Sequence, residues 1–231
     1  QKIDDETFTL DCLEQGYISY KSSWSNSIYS VHGGWCYQDN NTIKFFSDVG
    51  ILADCSAIPG HNTKEVGKYD KADWLETTVI PYWISKSNYK YPALSDDDST
   101  KVLQIPTSVG KSVLANSIKN IKDQFKRGFY FSNKKSFDYQ VPLMSLNSFL
   151  NKDLLKVSIQ NAITYKTNYF LSYFHADECL PKKKFPYKYA FSLESIFKNI
   201  NYIINLLEKK GYKPEFKTVN GLANIIKNKI D

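Results

Sequence analysis

Ile28-Tyr-Ser-Val-His32-Gly33-Gly34 and Gly50-Ile-Leu-Ala-Asp54-Cys-Ser56 are separated by a stretch that contains Asp39-Asn40, and together they decide the fold class. The first run is short, rich in β-formers and closed by two glycines, which reads as a strand ending in a tight turn. Asp39 or Asn40 then caps a helix, because a short side-chain oxygen can accept from the free N–H groups of a first helical turn. Gly50 stops that helix, and residues 51–56 form the next strand. Strand, helix, strand over so short a span argues for a parallel sheet with helical crossovers.

The alternation continues along the chain. Val102-Leu-Gln-Ile-Pro106 reads as a third strand, with helical stretches near 111–127 and 147–163. The aromatic run Asn168-Tyr-Phe-Leu-Ser-Tyr-Phe-His175 reads as a buried strand that ends on the titratable cluster His175-Ala-Asp-Glu178. Ser192 caps a helix with Ile196, Ile200, Ile203 and Leu207 on one face and Gly211 as its stop. Glu215-Phe-Lys-Thr-Val219 is expected as a last strand, and Asn220 opens a terminal helix. Between Pro59 and about Thr100 the chain is long and polar, broken by Ile80-Pro-Tyr-Trp83. The expectation is one α/β domain over residues 1–231, its sheet open or closed into a barrel.

Composition excludes several classes. The 231 residues are 42% hydrophobic and 15% aromatic, which argues against disorder. No apolar run approaches the ~20 residues of a membrane helix, and the first residues, Gln-Lys-Ile-Asp-Asp-Glu, lack the apolar core of a signal peptide. The net charge of +6 is carried almost wholly by lysine, Arg127 being the sole arginine. Nucleic-acid readers lean on arginine forks, so the expectation is no nucleic-acid partner. Cys12, Cys36, Cys55 and Cys179 form no Cys-x-x-Cys pair and read as reduced thiols of a cytoplasmic protein.

Chemistry concentrates at the carboxyl ends of the expected strands, where α/β folds build their sites. His32, Asp54 and His175 each end one strand, and in a parallel sheet that would bring them to one rim. His175 reads either as a catalytic group or as a strand-end histidine satisfied by a backbone carbonyl. Beside His32, the Gly33-Gly34 turn and Trp35 suit a sugar face or a plain hydrophobic corner. Gly110-Lys111-Ser112 has the ending of a phosphate-binding loop, yet Ile105 stands where that loop needs its first glycine. Asp96-Asp-Asp-Ser lacks the spaced ligands of a calcium loop and reads as a solvated turn. Asp70-Lys-Ala-Asp-Trp74 reads as a surface turn before it reads as part of a cleft.

The order of these pieces resembles the C-terminal two-thirds of NodB-type polysaccharide deacetylases, carbohydrate esterase family 4. The branch it looks most like acts in surface-polysaccharide and O-antigen biosynthesis. Val31-His-Gly-Gly-Trp35 is similar to a family strand reading Phe-Arg-Ala-Gly-Trp, and Gly50-Ile-Leu-Ala-Asp54-Cys-Ser56 to one ending Asp-Ser-Ser. Leu103-Gln-Ile-Pro106 is similar to its Glu-Ile-Pro strand, and Phe174-His175-Ala-Asp-Glu178 to its Phe-His-Pro-x-Glu motif. The resemblance spans roughly residues 28–230.

It implies a distorted (β/α)7 barrel and metal-dependent removal of acetyl groups from N-acetylated sugars of a bacterial surface polysaccharide or its precursor. His175 would be the proton donor to the leaving amine, with Asp54 as the second catalytic-site residue. His32, Trp35, Tyr82, Trp83 and Glu178 would line the sugar site. The expected cofactor is a divalent metal, zinc in most of the family, but its ligands are not identifiable: the family's Thr-Phe-Asp-Asp-Gly strand and His-x-x-x-His pair have no match. His32 also stands where the family has an arginine. Two expectations follow. Either the metal-binding strands precede Gln1, which is not an initiator methionine, or the protein is a degenerate relative that binds glycan without turnover.

Overall fold

The computed structural model describes residues 6–24, 27–33, 36–60, 73–111, 140–142, 152–172 and 193–230. Among these residues the chain is a mixed α/β protein with five helices, a four-stranded mixed sheet and a separate antiparallel pair. It divides into two compact units, one built from residues 1–57, 81–105 and 217–231, the other from 58–80 and 106–216.

The first unit holds the four-stranded sheet. Its elements are α1 (Glu6–Ser23), β1 (Ser30–Val31), α2 (Asn40–Asp48), β2 (Ala53–Asp54), β3 (Tyr82–Ser85), β4 (Ser99–Gln104) and a C-terminal helix (Val219–Ile230). Strand order is β1-β2-β4-β3, with β1, β2 and β4 parallel and β3 antiparallel to β4. The strand–helix–strand reading of residues 28–56 therefore holds, and the carboxyl ends of three parallel strands share one edge. Register aligns Val31, Asp54, Gln104 and Tyr82 in one row across all four strands.

Local chemistry explains the crossover. Asp39, in extended backbone, accepts the Thr42 N–H on its Oδ1 at 2.7 Å and starts α2. Gly50 ends it at φ +77°, in the left-handed region that glycine enters without a Cβ penalty. The helix packs on β4 and buries Ile43 and Phe46. Ala53, Ile84, Val102 and Leu103 complete this core, each at 0% exposure. Burying a side chain the size of Leu103 is worth about 2 kcal/mol. The C-terminal helix packs on β2 with Ala223 and Ile226 buried. Helix α1 escaped the sequence reading because residues 6–23 have no apolar stripe. It contacts α2, with the Tyr17 ring edge-on to Phe45 at 6.0 Å.

The second unit contains β5 (Val109–Lys111), β6 (Gln140–Pro142), α3 (Lys152–Thr164) and α4 (Leu193–Lys209), so the C-terminal helix is α5. Leu155 and Ile159 of α3 meet Ile203 of α4, with Ile163, Phe170, Tyr202, Leu206 and Leu207 around them. The apolar stripe expected on residues 192–211 is thus the core-facing side of α4. Gly211, at φ +82°, closes it with its N–H on the Glu208 carbonyl.

Several expectations need correction. Residues 212–218 are irregular, so Glu215–Thr218 is not a strand, and Val219 already belongs to α5. Most of that segment is exposed and no strand among the described residues lies beside it, so alternation alone could not hold it extended. Residues 168–172 are irregular too, with Asn168 at φ +57°. Their link is local: the Ser108 N–H donates to Leu171 O at 3.0 Å, and the Leu171 N–H to Ser108 Oγ at 2.9 Å. The continuation to His175 lies outside the described residues, as do most of the helix expected near 111–127 and the start of that near 147–163. Gly110 and Lys111 sit in β5, paired with Val141 and Gln140, so the backbone there is extended and does not curl round a phosphate.

Candidate functional site

The shared carboxyl edge of β1, β2 and β4 is where polar groups gather in the first unit. His32 follows β1 and is exposed. Next to it the chain turns back, and the Cys36 N–H donates to Gly33 O at 3.0 Å. Cys36 itself takes φ +59°, an uncommon conformation for a residue with a side chain. A Cβ at Gly33 would lie 2.1 Å from the Tyr37 carbonyl oxygen and 3.3 Å from Ser56 Oγ. Only glycine lets these backbones approach so closely.

Beneath this turn lies an enclosed polar nest. Gln38, Asp54, Ser56 and Gln104 are all 0% exposed. Asp54 Oδ1 accepts the Ser56 N–H at 3.1 Å and the Ser56 hydroxyl at 2.5 Å. Ser56 Oγ in turn accepts the Gly33 N–H at 2.7 Å and the Gln38 amide at 3.3 Å. The Gln104 amide donates to the Asp54 carbonyl at 2.9 Å. The nest therefore ties together the β1 turn, the approach to α2, β2 and β4.

Burial dominates its electrostatics. Removal from water pushes the Asp54 carboxyl up to about 6, against the opposing pull of Ser56 and of the Gln38 and Gln104 amides. The Cys36 and Cys55 thiols are pushed up to about 12, first by burial and then by the nearby Asp54 charge. Neither thiol is a nucleophile in that state. Asp54 Oδ2, Gln38 Oε1 and Gln104 Oε1 have no hydrogen-bond partner among the described residues. Three unpartnered acceptors in one enclosed site is an unusual concentration.

The residues expected at the site separate into three groups. His32 lies on the rim, while Asp54 lies below it with no exposed surface. Tyr82 is buried, and its hydroxyl donates to the Lys90 carbonyl at 3.0 Å, so it ties down the β3–β4 connection. Trp83, half-buried, is in register with Leu103. Trp35, His175 and Glu178 lie outside the described residues. Sequence reasoning missed Gln38 and Gln104. The available signal was a glutamine inside the apolar run Val102-Leu-Gln-Ile, a position that has to find hydrogen bonds once buried.

Among the described residues, no three His, Cys, Asp or Glu side chains come together in a way that could hold a metal ion. No described helix is long and apolar enough to cross a membrane. The cavity beside α3 in the second unit, of about 20 Å³, admits a water molecule and no sugar. Compared with protein-family models, with curated proteins and with solved structures, the chain matches none.

Proposed function

We propose that this chain acts on glycans as a deacetylase-like domain, with its site on the carboxyl edge of β1, β2 and β4. The observation that carries this reading is the adjacency of those three strands. Each ends in one of the segments resembling the deacetylase family, at Val31-His32, Asp54-Cys-Ser56 and Gln104-Ile-Pro106. Segments far apart in sequence that end side by side on one parallel edge are the arrangement a shared cleft requires.

In this reading the rim around His32 faces an N-acetylated sugar, with Trp35 and Trp83 offering aromatic surface. His175 gives its proton to the leaving amine, and Glu178 helps hold the substrate. Asp54, being enclosed, acts through Ser56 and the Gly33 turn as a positioning residue. The complete architecture would be the distorted (β/α)7 barrel, and a zinc-class ion would polarise the acetyl carbonyl when bound. The described residues supply no ligand set for that ion, so no step here is assigned to it.

Acetate release from an N-acetylated oligosaccharide, measured with and without added zinc, tests the proposal. Release that disappears in His175→Ala is the expected result, and no release under any condition removes the catalytic reading. A second reading, glycan binding without turnover, is favoured by His32 standing in place of the family's arginine. Calorimetry separates the two: saturable binding with no acetate supports the second, and no binding removes both.

A further inference from the structure

The enclosed nest around Asp54 has a chemistry of its own that does not depend on the glycan reading. Ser56, Gly33 and the two glutamine amides each donate within it. The Ser56 N–H and hydroxyl go to Asp54 Oδ1, Gly33 N–H and the Gln38 amide to Ser56 Oγ, and the Gln104 amide to the Asp54 carbonyl. Three acceptors have no partner among the described residues: Asp54 Oδ2, Gln38 Oε1 and Gln104 Oε1, on fully buried side chains of one connected network. A buried carboxylate oxygen without a donor is costly. One proton removes both the charge and part of this shortfall, because the acid O–H becomes a donor.

We propose that the nest is a proton-operated latch on the Gly33 turn. Protonated at Oδ2, Asp54 gains an O–H that can serve one of the two glutamine oxygens, which adds a tie to the network that holds Gly33. Ionised, it leaves an enclosed charge with one oxygen unserved, and the grip on the turn weakens. Because Gly33 follows His32 directly, the latch would set the order of the rim.

The surroundings allow this assignment. β1 contributes Ser30 and Val31, β4 contributes Leu103, and α5 buries Ala223 and Ile226, none of which ionises. Cys36 and Cys55 stay protonated as thiols. Asp39, further along the same loop, has its carboxylate engaged by the Thr42 N–H and the Tyr37 hydroxyl. Tyr82 points its hydroxyl at the Lys90 carbonyl, and His32 is exposed.

The sign follows from the raised carboxyl, which moves from an ordinary 3.8 to about 6 on folding. The folded state takes up a proton between these values, so the stabilisation is full below the lower one and is lost as pH rises through the upper one. Unfolding of the full chain and of Asp54→Asn is to be compared from about pH 4 to about pH 8. The Asn amide mimics the neutral acid and can donate where its proton would. Wild type is expected to gain roughly a hundredfold in folding equilibrium, relative to the variant, as pH falls across that window. The variant is then the more stable protein at the alkaline end.

A constant offset at every pH, or a variant weaker at the alkaline end, overturns the latch. So does stabilisation of wild type but not of Asp54→Asn by sodium, potassium, magnesium or zinc chloride at fixed ionic strength, since the acceptors would then hold a cation. Should the variant not fold, wild type alone decides. Infrared difference spectra with ¹³C-labelled aspartate should show a buried carboxylic-acid band growing in as pH falls through about 6, and Gly33 amide exchange, corrected for intrinsic rates, should slow with it. Absence of either change overturns the proposal.

Discussion

Gly33 is the most tightly packed of the described glycines in the first unit. Its missing side chain makes room for the Tyr37 carbonyl, and its N–H is the one the nest holds. Gly33→Ala forces backbone against backbone, which no rotamer change relieves. A loss of about 3 kcal/mol is expected in chemical unfolding, and a loss under about 1 kcal/mol would mean the turn relaxes freely. Ser158 poses the opposite case. Its hydroxyl is buried in α3 with no partner among the described residues, so it contributes no hydrogen bond to offset its desolvation. Ser158→Ala should leave the thermal midpoint unchanged or raise it, by up to about 1 kcal/mol in stability. A clear drop in midpoint would show that the hydroxyl is engaged after all. At this scale the sequence was informative about Asp54 as a polar residue closing an apolar strand, and silent about its burial. A carboxylate reads the same whether it faces solvent or an enclosed network, because the Gln38 and Gln104 amides that act on it stand 16 and 50 positions away in the chain.

Elements with local causes were the legible ones. The α2 helix begins at its Asp39 cap and ends at Gly50, both within the reach of neighbouring residues. Asp39→Ala removes the acceptor of the Thr42 N–H and should cost about 1 kcal/mol. Asn or Ser at the same position should recover most of it, and failure to recover would assign the loss to the Tyr37 contact instead. Gly50→Ala puts a Cβ on a left-handed backbone at φ +77° with open space around it. Strain alone then acts, again about 1 kcal/mol. Helix α4 was legible for a related reason: its apolar stripe has the helical period, and Gly211 terminates it. Residues 168–172 and 215–218 were misread as strands because alternation and aromatic content favour a strand only if a neighbouring strand accepts the ladder. Neither stretch has one among the described residues. The surface ion pairs Lys44–Asp48, Lys101–Asp96 and Lys198–Glu194 are all exposed and add little to these elements.

For the whole molecule, the interior of the four-stranded sheet should govern whether the rim exists at all. Leu103 sits at 0% exposure on β4, between β2 and β3. Leu103→Ala should cost about 3 kcal/mol. Under the proposed glycan-binding role, the same variant should weaken binding only through the fraction unfolded, so affinity recovered in a stabilising osmolyte would separate packing from contact. The sequence by itself determined the α/β class, the strand–helix–strand unit at residues 28–56, the limits of α2 and α4, and the lack of a membrane-length apolar run. Each of these rests on periodicity, on caps, or on composition, which act between residues close in the chain. Only the tertiary structure decided the β1-β2-β4-β3 order, the reversal of β3, the burial of Tyr82 and the enclosure of Asp54 with Gln38 and Gln104. Those depend on which distant surfaces exclude water from one another, and solvent exclusion is a property of the assembled sheet that no local stretch of chain contains.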